Sequence, residues 1–152
     1  MTALDIFREC AATDARIERI RERIDRRRAL ASGCTARPLS PDGGSVGGGD
    51  ASMRMINYVS EIQTLEEDYA RQLTARESYR SCCLYLADLL SDCLASVALR
   101  TYLEHQGTKA IATAVHVSQA TVRRYKRQAD DELRKIEITY WDRSNVPIYT
   151  LR

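Results

Sequence analysis

Apolar residues recur at alternating spacings of three and four through Ala3, Ile6, Cys10, Ile17, Ile20, Ile24 and Ala31, with Thr13 and Arg27 breaking the series. A heptad rhythm of this kind predicts one long helix over residues 1–31 with a narrow apolar seam. The rhythm returns at Met55, Tyr58, Ile62, Leu65, Tyr69, Tyr79, Cys83, Leu86 and Leu90, interrupted by Gln72 and Arg76. It predicts a second long helix over 50–90, capped by Asp50 or Ser52. Polar residues inside such a seam tend to fix register or oligomeric state at some cost in stability. Residues 32–49, SGCTARPLSPDGGSVGGG, are rich in Gly and Pro and read as a flexible linker. Its triple glycine lacks the Lys-Ser/Thr pair of a phosphate loop. The linker is long enough to fold the two helices into an antiparallel coiled-coil hairpin. The paired seams exceed what one hairpin needs to cover, so a homo-oligomer, most simply a dimer, is expected.

The rhythm then shortens. Ser91 and Asp92 offer a cap for a helix running to about His105, with Leu94, Val97, Ala98 and Leu99 turned inward and Gly107 ending it. The stretch TKAIATAVHVSQATVRRYKR, Thr108 to Arg127, reads as two short helices joined by a tight turn. Ile111, Ala112, Val117, Val122 and Tyr125 recur in the order that locks such a pair at a steep angle, with Ala112 at the closest crossing. Thr108 and Ser118 serve as the expected caps. His116 stands at the turn position where positive φ, and usually Gly, is wanted. Residues 91–137 therefore read as a three-helix helix-turn-helix domain, with Asp92–Ile136 the smallest part expected to fold alone. In residues 138–152, β-branched and aromatic residues flank Asp142-Arg143-Ser144-Asn145, so a short hairpin or extended tail is expected. It could serve as a wing, a subunit contact or a flap over Leu133 and Ile136. The expected fold class is all-α with this one β appendage.

Charge changes the picture by its placement, since the formal net charge is only +2. Between Ser118 and Arg127 lie Arg123, Arg124, Lys126 and Arg127 and no acid; Asp130, Asp131 and Glu132 come only afterwards. A second helix of this kind enters the major groove of duplex DNA. Gln119, Ala120, Arg123 and Arg124 are the expected base-facing residues, Thr121, Lys126 and Arg127 the phosphate-holding ones, and Ser118 opens the interface as the cap. The N-terminal run DARIERIRERIDRRR is rich in arginine, but its interleaved acids favour a solvated surface.

Other chemistry has little to stand on. His105 and His116 lie near no nucleophile motif, and Asp130 and Asp131 point to different sides of one helix, so no catalytic residues and no enzyme are expected. Cys10, Cys34, Cys82, Cys83 and Cys93 are odd in number and two are adjacent, which fits a reducing compartment better than a disulfide framework. They have no zinc spacing, so no metal or cofactor is expected. No secretory signal and no apolar run of about 20 residues is present, so no membrane partner is expected.

The arrangement resembles a family of small phage and prophage regulators whose C-terminal part is similar to region four of bacterial sigma factors. The resemblance is carried by the charged N-terminal helix, the linker ending in GGGDASM, the helix YVSEIQTLEEDY and the stretch LRTYLEHQGTKAIATAVHVSQATVRRYKRQADDELRKI. It is most specific at Ala112, Val117, Ser118 and Val122, and departs at Thr108-Lys109-Ala110 and His116. The resemblance implies a promoter-reading helix-turn-helix in a late-gene activator or regulator, encoded by phage or prophage and working in the cytoplasm of a bacterial host. The expected function is a sequence-specific DNA-binding transcription regulator with duplex DNA as partner. Two alternatives stand beside it: a phage small terminase subunit recognising viral DNA, and a protein-interaction module docking on RNA polymerase.

Overall fold

The computed structural model describes residues 1–35, 48–142 and 147–151. These form the helices α1 (Ala3–Thr35), α2 (Gly48–Ala87), α3 (Asp92–Tyr102), α4 (Thr108–Ala114) and α5 (Gln119–Lys135), then strands β1 (Ile136–Tyr140) and β2 (Ile148–Leu151). The protein is thus mostly helical with a short antiparallel two-stranded sheet near its C-terminus. Two compact units divide the chain: Met1–Ala15 with Thr74–Arg152, and Arg16–Leu73.

The first unit gathers both chain ends. Leu4, Ile6, Phe7 and Cys10 of α1 bury against Tyr79, Cys82, Cys83 and Leu86 of α2, Ala98 of α3, Ala129 and Leu133 of α5, and Ile136 and Ile138 of β1. The start of α1 is fixed by a reciprocal cap, in which the Thr2 amide donates to Asp5 Oδ2 at 2.8 Å and the Asp5 amide to Thr2 Oγ1 at 3.3 Å. The Thr2 amide bond holds the Asp5 carboxyl below its usual range. Thr13, fully buried, donates its hydroxyl to the Glu9 carbonyl at 2.8 Å, so this polar seam position satisfies itself within its own helix. Arg76, the second seam interruption, meets Asp14, whose other oxygen lies 2.8 Å from His105 Nε2.

The hairpin pairs Ile136 with Leu151 and Ile138 with Tyr149, and shifts register between Ile138 and Tyr140. Met1 adds to the same strand, its carbonyl accepting from the Ile138 amide at 2.8 Å. Ile136 and Ile138 share the core with Leu133, and Trp141 and Tyr149 pack against it. The turn expected at Asp142 to Asn145 lies largely outside the described residues.

In the second unit α1 and α2 meet through Ile20, Ile24, Leu65 and Tyr69. Arg27 pairs with Glu61 and Arg28 with Glu66, both at 2.7 Å, and Arg27 lies 5.7 Å over the Tyr58 ring.

Several expected boundaries move. α1 continues past Ala31 to Thr35, because Ser32 donates back to the Arg28 carbonyl at 3.0 Å and nothing before Pro38 forbids helix. α2 starts at Gly48, so Asp50 and Ser52 stand inside the helix rather than cap it. The heart of the expected linker, residues 36–47, lies outside the described residues. α2 ends at Ala87, its last turn tightening through Leu89 N–H to Leu86 O and Leu90 N–H to Ala87 O. α3 stops at Tyr102 rather than near His105, which has left-handed φ of 52°. Gly107, not Thr108, caps α4. α5 gives way to strand at Ile136, one or two residues earlier than expected. Compactness also divides the chain inside α1 and α2 rather than at residues 31 and 90. Ala98, Ala129 and Leu133 share one core with the ends of the two long helices.

Candidate nucleic-acid interface

The four residues from Val115 to Ser118 connect α4 to α5. The Val117 amide reaches back to the Ala112 carbonyl at 3.1 Å and the His116 amide to the Thr113 carbonyl at 3.4 Å, with His116 left-handed at φ 54°. This is the double-bonded helix ending that normally uses Gly. The turn is therefore of the kind expected, with histidine bearing the unusual backbone. Ile111, Ala112, Val122 and Val97 of α3 bury together beneath it, and Val115, Val117 and Tyr125 pack on them.

Ser118 is the α5 cap: its Oγ accepts from the Thr121 amide at 3.1 Å and lies 2.9 Å from Thr121 Oγ1. Ser118 and Thr121 are thus engaged with each other. Gln119, Ala120, Arg123, Arg124 and Arg127 are exposed; Ala120, Arg124 and Arg127 lie on the side of α5 away from buried Val122, Ala129 and Leu133, with Arg123 at its edge and Gln119 beside the buried stripe. Arg124 leans 5.5 Å over the Tyr125 ring. Lys126 is exposed too; at four residues from Val122 it flanks the packed stripe, and its ammonium sits 5.7 Å over Tyr102 of α3. Tyr102 also donates to Asp130 Oδ1 at 3.0 Å, and burial first, then this bond, raises its phenol above the ordinary value.

The acids that follow are all engaged. Asp130 takes Tyr102, Asp131 pairs with Arg134 at 2.6 Å, and Glu132 pairs with Lys135 at 2.6 Å. Among the described residues Arg123, Arg124, Lys126 and Arg127 meet no carboxylate. A helix face with uncompensated guanidinium groups, a Gln and small side chains can fork onto acceptors and approach a polyanion closely.

Sequence reasoning missed Lys109, Thr113 and His116, which with Gln119 line an open groove of about 510 Å³ across the turn. Lys109 and Thr113 are four apart on α4, a spacing that could have marked them as neighbours. Among the described residues no group of His, Cys, Asp and Glu is placed to hold a metal ion, and no helix is long and apolar enough to cross a membrane. Comparison with protein-family models, with curated proteins and with solved structures found no match to this chain.

Proposed function

We propose that the chain is a sequence-specific DNA-binding transcription regulator in which α4 and α5 act as a helix-turn-helix and α5 enters the major groove. The observation that carries this reading is the row of basic side chains on α5 left without carboxylate partners while every acid of the same helix is engaged. Arg123 and Arg124 suit bidentate contact with guanine, Gln119 suits adenine, and Arg127 a phosphate. Ser118 and Thr121 hold the first turn, and Lys126 braces α5 on α3. The resemblance to phage regulators with a sigma region-four-like end makes promoter DNA of phage genes the natural target, with RNA polymerase as a second partner.

We also propose a homodimer that covers the exposed Met53, Ile56 and Val59 of α2. Light scattering should give twice the chain mass, and a monomer at tens of micromolar removes this part.

The test of the main reading is selection of bound fragments from a random duplex library. A recurrent motif, with half-site spacing readable if the protein is a dimer, is expected. Recovery of no motif, with binding to RNA polymerase intact, moves the protein to the interaction-module reading.

A further inference from the structure

The arginine-rich part of α1 divides its charge by helical phase. Residues 16–28 carry seven arginines and three acids. At about 100° per residue, Arg16, Arg19, Arg23 and Arg26 fall within one quarter of the helix circumference, while Glu18 and Asp25 lie roughly a third of a turn away and Glu22 borders the ridge beside Arg26. The four arginines are exposed, and the helix turns Ile17, Ile20 and Ile24 inward instead. Nearby acids of α2 are occupied elsewhere: Glu61 by Arg27, Glu66 by Arg28 and Asp68 by Arg71. Among the described residues Arg19 and Arg23 meet no carboxylate, and Arg26 spends its Nε on the Glu22 carbonyl at 3.3 Å. Arg23, Arg26 and Arg27 surround an open hollow of about 330 Å³ with Leu30.

We propose that Arg19, Arg23 and Arg26 form a second polyanion surface, on the unit Arg16–Leu73, that contacts the phosphodiester backbone of duplex DNA. The ridge spans about 10 Å from Arg19 to Arg26, along which duplex DNA presents roughly six negative charges. Guanidinium groups are weakly hydrated and fork onto phosphate oxygens, which suits contact without base reading. Exposed arginine ridges are commonly just solvated. Here seven arginines stand against three acids, and among the described residues no carboxylate pairs with Arg19 or Arg23. The proposal rests on the DNA-binding reading for its ligand, but on different residues.

The test uses the full chain and a labelled random 30-base-pair duplex, with affinity followed by anisotropy from low to moderate salt. Arg23→Gln with Arg26→Gln should make log affinity against log salt shallower by about 1.8, or 0.9 for each phosphate no longer neutralised, and leave the preference for a selected site over random DNA unchanged. Arg19→Gln alone should lower the slope by about 0.9. A control, Arg134→Gln with Lys135→Gln, removes the same charge from a paired site and should change the slope far less. The proposal is overturned if the wild-type chain does not bind duplex DNA, if the ridge variants keep the wild-type slope, or if the control matches them. It is equally overturned if the ridge variants lose only binding to phosphatidylserine vesicles. If Arg123→Ala with Arg124→Ala leaves DNA binding intact while the ridge variants weaken it, the ridge stands and the α5 reading falls; the reverse pattern separates them the other way.

Discussion

Two histidines hold left-handed backbone, His105 at φ 52° and His116 at φ 54°, and only at His116 should replacement by glycine stabilise the chain. An L-residue in this region costs about 1–2 kcal/mol. Glycine removes that strain, but frees the unfolded chain by about 0.4–1 kcal/mol. His116 is exposed and makes no side-chain bond among the described residues, so His116→Gly should gain about 0.5–1 kcal/mol. In a chain of this size that is a rise of about 1–4 °C in melting temperature. His105 starts from the same strain, yet its Nε2 lies 2.8 Å from Asp14, whose side chain is 17% exposed. A hydrogen bond to a charged group is worth about 1.5–3 kcal/mol, reduced here to roughly 1 because the histidine is half-exposed. His105→Gly should therefore be neutral or slightly destabilising. Urea unfolding followed by far-UV circular dichroism measures both. A His116→Gly chain that unfolds at or below the wild-type midpoint would refute the reasoning, as would equal gains at both sites.

Ser118→Ala should cost about 1 kcal/mol through loss of the α5 cap, whereas Ser118→Asp should retain the cap and its stability yet weaken DNA affinity by placing a negative charge at the proposed interface. Parallel melts and anisotropy separate these, and equal loss of stability in both variants would show that the Ser118 bond is not a cap. In a Cys34→Ser background, Ellman's reagent at pH 8 should titrate exposed Cys93 rapidly and reach buried Cys10, Cys82 and Cys83 only on unfolding. Burial pushes Cys82 up from 9.0 to about 12, so the stability it contributes is whole below pH 9 and is lost as pH rises towards 12; more than one fast thiol would contradict this. The fragment Ser91–Arg152 should lack a cooperative melt, and a sharp transition in it would show that the α1 and α2 ends are dispensable.

Part of the seam pattern was legible because it needs only local spacing: Ile17, Ile20 and Ile24 are buried as their phase required, whereas Met55 at the start of the second seam is exposed. His116 takes the positive φ expected at its position, although Gly is the residue usual there. The boundaries were less legible. A Ser that bonds the carbonyl four residues back continues a helix as readily as it caps one, and Ser32 does the former. Partnerships across the chain left no local trace, Asp14 and His105 being 91 residues apart. Two seam interruptions, Thr13 and Arg76, were legible as polar but not as satisfied, because their partners are a main-chain oxygen and Asp14. The two seams together read as more than one hairpin could cover, yet Leu65 is buried against Ile20 and Ile24 of the same chain. The exposure of Arg123, Arg124 and Arg127 was legible from their helical phase, whereas the Tyr102 ring that Lys126 meets was not.

The two clusters that α5 crosses explain why its exposed face depends on residues far from it in sequence. Val122 anchors the first half against Val97, Ile111 and Ala112. Ala129 and Leu133 anchor the second half against Leu4, Phe7 and Leu86. One side chain links the halves: Tyr102 packs its edge on Phe7 at 5.8 Å, carries Lys126 on its face and bonds Asp130 through its hydroxyl. Two anchor points and a brace fix the rotation of α5 about its axis. A helix rotates by about 100° per residue, so a modest rotation would carry Arg123 and Arg127 out of register with any surface they meet. The first turns of α1 and the end of α2 therefore do more than complete a core. By holding Ala129 and Leu133 in place they set the direction in which the exposed arginines of α5 project, so the proposed interface would depend on both ends of the chain.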